Sequence, residues 1–315
     1  MTVRIRKFRP SDGLRPFVRF YYTIEWPTPA PFAIQNHPQG GVDLVLAFRG
    51  DTLFQHATVP IDSLPETDFV PRSGPEDVGP RNETTRLSGL FVLPLQEHPF
   101  QTTFLSAVDH VGVSLHPEGA HRLLRVDIGE CVNSGRVLSR TEDPELYDLF
   151  LELKSLGRGH EPLVGEVPET VSRLDRFLCR RLETWHAPWP RFQFATTEIR
   201  RSRGRIAIPE LAERVETSPR SLQRWSRTTL GLTPKRYAMI VRFHSTVRLL
   251  RRCPPDRWLD AALGLGYYDQ SHFIAEFRRF SGQSPTQFFR REQQISEFYS
   301  GRRTELELTE PAARH

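Results

Sequence analysis

The sequence predicts an α+β chain, with a mainly-β N-terminal domain carrying two trailing helices, then an all-α domain. Three observations predict it. Short apolar runs bounded by Pro, Gly and Asp fill residues 1 to about 140. Helical periodicity begins after Pro144 and continues to about residue 295. The length of 315 residues fits about two domains. The expected division is 1–185 for the first domain, 186–197 for a linker, 198–295 for the helical domain and 296–315 for a mobile tail.

In the first domain Val42–Phe48, Gly89–Leu95 and Val111–Leu115 read as strands, and residues 55–85 as mostly loop. Glu145–Leu156 carries Leu146, Leu149, Phe150 and Leu153 at helical spacing. Pro168–Trp185 carries Val171, Leu174, Leu178 and Leu182 as one stripe. Such a stripe packs on its own domain or joins two copies of the chain. The two prolines after His186 predict a break.

The helical domain repeats itself. Ser218–Pro234 reads SPRSLQRWSRTTLGLTP and Asp269–Pro285 reads DQSHFIAEFRRFSGQSP. At an offset of 51, Leu222 meets Phe273, Arg227 meets Arg278, Gly231 meets Gly282 and Pro234 meets Pro285. Upstream, Leu211-Ala212 meets Ala261-Ala262 at an offset of 50, so the second turn is one residue longer. Each copy has helix-turn-helix grammar. A first helix (Ile208–Val215, Trp258–Leu265) leads to an N-cap (Ser218, Asp269) and a second helix ending at a glycine. Leu222 and Trp225 are expected inside the first unit, and Phe273 and Phe277 inside the second. Pro234–Arg252 reads as one connecting helix of about 28 Å.

Charge follows the same division. Residues 197–304 hold 21 Lys+Arg against 10 Asp+Glu, whereas residues 1–196 hold 21 against 25. A basic domain beside a slightly acidic one is the pattern expected when one domain meets a polyanion. Cys131, Cys179 and Cys253 are sparse and lack CxxC spacing, so neither a disulfide framework nor a zinc site is expected. His37, His56, His98, His110, His116 and His121 form no HxH or HExxH pattern, and GxSxG, P-loop and GxGxxG motifs are absent. The expectation is a non-enzyme without metal or cofactor. No apolar stretch reaches membrane-spanning length, and the N-terminus lacks a signal-like apolar run, so a cytoplasmic location is expected.

Residues 200–291, above all GYYDQSHFIAEFRRFSGQSPTQFFR at Gly266–Arg290, closely resemble the AraC/XylS family of bacterial regulators. The resemblance implies a sequence-specific transcription regulator that places two recognition helices in successive major grooves of double-stranded DNA. It implies base-reading positions at Arg220, Gln223 and Arg224 in the first unit and at Ser271, His272 and Ala275 in the second. Arg227, Arg278 and Arg279, further along their helices, are phosphate candidates, with Ser218 and Gln270 at the helix starts. The family often has an aromatic near Ser226, a core corner that Trp225 is expected to fill here. The N-terminal half, through Pro38–Val45 and Val111–Ala120, resembles less specifically an uncharacterised domain found ahead of such DNA-binding domains. Relatives often carry a cupin-like barrel there, which implies a small-molecule effector and a homodimer. The alternative is a purely oligomerising or partner-binding module. RNA polymerase is a further partner the resemblance implies.

Overall fold

The structure, a computed structural model, describes residues 4–27, 31–56, 84–156, 167–184, 190–291 and 306–309. The chain opens with strands β1 (Arg4–Phe8), β2 (Val18–Trp26), β3 (Phe32–Asn36), β4 (Val42–Arg49), β5 (Thr52–His56), β6 (Thr84–Leu87), β7 (Leu90–Leu93), β8 (Phe100–Phe104) and β9 (Val108–Leu115). Helix α1 (Pro117–Leu123), strand β10 (Arg136–Val137) and helices α2 (Pro144–Ser155) and α3 (Glu169–Thr184) follow. The helical half comprises α4 (Pro190–Arg201), α5 (Ile208–Arg214), α6 (Pro219–Leu230), α7 (Pro234–Leu250), α8 (Trp258–Gly264) and α9 (Gln270–Ser281), and residues 285–291 are helical. Strand β11 (Leu306–Thr309) closes the order.

Two sheets form. One runs β10-β7-β4-β9-β2-β1-β11 and the other β3-β8-β5-β6. Every pairing is antiparallel except β1 with β11. The period-2 alternation of strands sorts the residues of the larger sheet. Leu44 and Leu46 of β4, Val111, Val113 and Leu115 of β9, and Leu90 and Val92 of β7 share one core with Leu146, Phe150, Leu174 and Leu178 of the helices. Their neighbours Asp43, Val45, His110, Phe91 and Leu93 face the other way, toward Ile34, Phe100 and Phe104 of the smaller sheet. Between the sheets lies a cavity of about 230 Å³.

The three strands read from the sequence are all present, and most helix ends fall within two residues of expectation. Several expectations change. Helix α4 starts at Pro190, inside the segment expected as linker; proline is tolerated in a first helical turn. Residues 185–189 lie outside the described part, as does the expected loop between residues 57 and 83. Four residues of the expected mobile tail, Leu306–Thr309, pair with β1. Leu174 and Leu178 are fully buried within their own chain, so they are not available to join two copies.

The two halves pack against each other. The loop between β3 and β4 lies on α7, where a Cβ added at Gly40 would sit 3.6–3.7 Å from Ile240, Tyr237 and Val241. The His37 ring meets Phe243 at 5.7 Å and Phe288 at 5.4 Å between centroids. Arg236 of α7 pairs with Glu97, and Arg200 of α4 with Glu118. One continuous apolar core therefore spans both halves.

A buried ion pair holds the helices of the N-terminal half. Asp143 caps α2 by accepting from the Leu146 amide at 3.2 Å and receives two hydrogen bonds from Arg181 of α3, at 2.6 and 2.7 Å. Both side chains are nearly inaccessible. Asp143→Ala removes the cap and leaves the buried Arg181 guanidinium with only the half-exposed Glu145 and the Leu123 carbonyl as partners, which should lower unfolding stability by about 3 kcal/mol, read as a drop in the urea midpoint. Asp143→Leu with Arg181→Met should recover much of that loss; a double variant no better than Asp143→Ala contradicts the assignment.

Among the described residues, burial lowers the pKa of four histidines, His110, His116, His121 and His244, and three of these move far. Burial pushes His110 down to about 4 and His116 and His244 down to about 3, with Arg200 and Arg19 adding repulsion at His116 and Arg19 and His37 at His244. The unfolded chain takes up these protons first, so stability present above pH 6.5 should be lost as pH falls from there toward 3. Chemical unfolding in a pH series checks this, and an unchanged midpoint between pH 7 and 4.5 contradicts it.

Candidate nucleic-acid interface

Helices α6 and α9, expected from the sequence to carry the reading positions, are built alike. Ser218 Oγ accepts from the Ser221 amide at 3.1 Å, and Asp269 Oδ1 accepts from the His272 amide at 2.7 Å. Each cap satisfies an amide the helix cannot pair internally. Both helices end on a glycine in the left-handed region, Gly231 at φ 70° and Gly282 at φ 75°. In α6, Leu222, Ser226, Thr229 and Leu230 are buried, and in α9 Phe273, Glu276, Phe277 and Phe280.

That burial turns one face of α6 outward. Arg220, Gln223, Arg224 and Arg227 are all exposed and stand at i, i+3, i+4 and i+7, a single stripe. In α9 the exposed set is Gln270, Ser271, Ala275, Arg278 and Arg279. Ser218 is exposed at the start of its helix. The sequence-expected positions thus fall on outward faces, with His272 as the exception in kind. Its Nδ1 accepts from the Tyr268 amide at 3.1 Å and its Nε2 lies 3.7 Å from Glu276. Both ring nitrogens face local partners, and the ring is half-buried.

The units differ inside. Trp225 is half-buried, and Ser226 instead occupies the corner that Phe277 fills in the second unit. The Ser226 hydroxyl donates to the Leu232 carbonyl at 2.7 Å, which satisfies a buried acceptor beyond the helix end. The turns differ as well. Gly266 takes φ 88° in the longer second turn, whereas Glu216 takes φ 52° in the first.

Two anchors fix these helices, and the sequence reading missed both. Arg242 of α7 donates from Nε to Glu276 of α9 at 2.9 Å, pairs with it a second time through Nη2, and lies 4.8 Å from the Tyr267 ring centroid. Burial opposes the charged Arg242, but the bonds to Glu276 win and raise its pKa. The second anchor is the N-terminal half itself. An added Cβ at Gly231 would lie 2.3 Å from Val132 Cγ2 and 2.4 Å from the Gly129 carbonyl, and one at Gly282 would lie 3.5 Å from Pro99. The C-terminal ends of both helices abut the β half, while the residues at their N-terminal ends stay exposed. A mid-helix Glu such as Glu276 reads as a surface residue in sequence, so its buried pairing had no local signal.

Residues 211–291 match the family described as a helix-turn-helix domain, and residues 6–135 match a domain of unknown function (DUF6597). The HTH-type transcriptional activator RhaS of Escherichia fergusonii is 30% identical over 156 residues, which are 50% of this chain and 49% of that protein. The chain thus spans about half the length of the curated relative it matches. Among solved structures, ToxT from Vibrio cholerae superimposes with a TM-score of 0.44 at 8% identity, covering 85% of this chain and 96% of that one. The AraC-like transcriptional activator CuxR gives 0.28 at 13% identity, covering 82% and 89%. Neither score reaches 0.5, so the fold rests on the chain's own elements.

The two helix ends should respond differently to one change. Gly282→Ala forces a left-handed alanine with room for its Cβ, a loss of about 1–2 kcal/mol. Gly231→Ala adds a backbone collision with Gly129 and should lose more. Urea midpoints of the two variants compare them; a smaller effect at Gly231 contradicts the packing.

Proposed function

Residues 211–291 form an AraC-type helix-turn-helix domain, and from that premise we propose that the chain is a transcription regulator reading double-stranded DNA in two successive major grooves. The observation that carries this reading is the exposed Arg220, Gln223, Arg224, Arg227 stripe on a capped helix, repeated in position by α9. Arg220 and Arg224 can each present two donors to guanine O6 and N7, and Gln223 can pair with adenine N6 and N7. Arg227, Arg278 and Arg279 neutralise phosphates, and Ser218 and Gln270 bring the helix starts to the backbone. Ser271 and Ala275 offer the second unit a short hydroxyl and a methyl contact. His272 reads bases only by giving up its partners Tyr268 and Glu276. The first unit therefore supplies most of the sequence discrimination, and the second contributes mainly through the backbone.

The reading extends to a small-molecule effector in the N-terminal half. The cavity between its sheets and its packing on α7 favour an effector over a purely oligomerising module. RNA polymerase and a second copy of the chain complete the proposed partners. Among the described residues no helix is long and apolar enough to cross a membrane.

Selection of bound sites from random duplexes supplies the specific DNA. Arg224→Ala should then weaken specific binding by about 1–3 kcal/mol and scrambled-duplex binding far less, by fluorescence anisotropy at fixed salt. Equal losses on both duplexes would remove Arg224 from base reading. Log affinity should fall steeply and linearly with log salt as counterions are released. A flat plot, or no enriched site, overturns the DNA-binding reading itself.

A further inference from the structure

The cavity of the β half carries a chemistry that its walls do not neutralise. Lys7 of β1 and Arg19 of β2 both line it. Strand alternation places Lys7 beside Ile5 on the cavity face, and Phe20, Tyr22 and Ile24 share that face. Arg19 joins them through a register shift between Val18 and Phe20, a bulge that aims two successive side chains the same way. The floor is cut to fit. A Cβ at Gly41 would meet the Arg19 guanidinium at 2.4 Å, and one at Gly112 would meet the Tyr22 ring at 2.1 Å. Glycine at these two positions lets both side chains lie flat across the sheet.

Among the described residues the two cations have no counter-charge in contact. Lys7 Nζ lies 4.4 Å from the Phe20 ring centroid, and the Arg19 guanidinium lies 5.5 Å from it and 3.3 Å from the Ser114 hydroxyl. Among the described residues neither forms an ion pair. Asp43 is the one acid among the described lining residues, so among them two positive charges face one carboxylate. Burial works against the charge of Lys7 and of Arg19, and it raises the pKa of Asp43, which weakens even that compensation. A buried charge without a partner is unfavourable, and a bound anion relieves it. Across from the cations, Ile34, Phe100 and Phe104 supply an apolar wall. The volume of 230 Å³ equals that of about eight liquid waters, which fits a small metabolite.

We propose that the cavity binds a small organic acid with an apolar body, its carboxylate held by Lys7 and Arg19 and its body against Ile34, Phe100 and Phe104. This inference rests on the effector reading above and names the effector's class. The occupant also touches the DNA-binding half at one remove, because His37 lines the cavity and packs on Phe243 and Phe288.

The test uses the full chain with benzoate, phenylacetate and hexanoate, each against its primary amide. At least one acid should raise the thermal unfolding midpoint, and its amide should not. Calorimetry should show Kd weakened at least about tenfold in Lys7→Met and Arg19→Met, with Lys7→Arg binding close to the original. Amides that bind as well as acids overturn the proposal. So does an unchanged Kd in both Met variants, or no stabilisation by any of the three acids. If the Met variants do not fold, the acid–amide comparison on the unaltered chain decides. DNA affinity measured with the acid bound separates the two readings: an acid that binds without changing it removes the effector role and leaves the acid site standing.

Discussion

Helix α7 buries Tyr237, Ala238, Ile240, Val241, Phe243, Thr246, Val247 and Leu250, which together cover most of its circumference. A helix this apolar cannot bridge two units through solvent; it must be covered on several sides. Helices α6 and α8 pack on α7, and further elements cover its remaining sides. Helix α4 and the Gly204 turn pack on one side, α9 docks through Phe243, Phe277 and Phe280, and the loop at Gly40 covers Tyr237 and Val241. The relative placement of both helix-turn-helix units and of the β half follows from satisfying this one helix.

The legible parts of the chain were those whose causes are local. Caps at Ser218 and Asp269, helix-ending glycines at 231 and 282, and the apolar strand run at Val42–Phe48 depend on residues within one or two turns, and the structure repeats them. What was not legible depends on partners far away in sequence. Arg19 and Asp43 are charged residues in strands, which ordinarily mark a solvent face, and only the second sheet turns that face inward. Ser226 looks like a gap in a hydrophobic stripe until the Leu232 carbonyl is beside it. His272 sits at an expected reading position, but its commitment to Tyr268 and Glu276 arises from side-chain geometry that spacing does not encode. Helix α1 is short and follows a strand directly, so periodicity had too few residues to register it.

The duplicated units have also diverged in how they hold their shape. The second builds its interior from Phe273, Phe277 and Phe280: Phe273 packs edge-on with Tyr267 and Phe277, Phe277 with Phe288, Phe280 lies tilted on Phe243, and the Arg242–Glu276 pair locks α9 to α7. The first has a smaller interior, a hydroxyl where the second has a ring, and a glutamate in a backbone region that disfavours side chains. Its end is instead clamped by the turn at Gly129 and by Val132 of the other half. The second unit is braced mainly from within, with Pro99 and His37 of the other half beside it, and the first mainly from outside.

That clamp at Gly231 bears on how such a chain could be recombined. Chains built from two halves invite exchange of one half to make hybrids. Here the cut cannot simply fall between residue 185 and residue 198, because the first helix-turn-helix unit borrows part of its support from residues 129–132 and the connecting helix from residues 37–41. A hybrid inherits a complete helical half only if its new β half presents surfaces of the same shape at those two places.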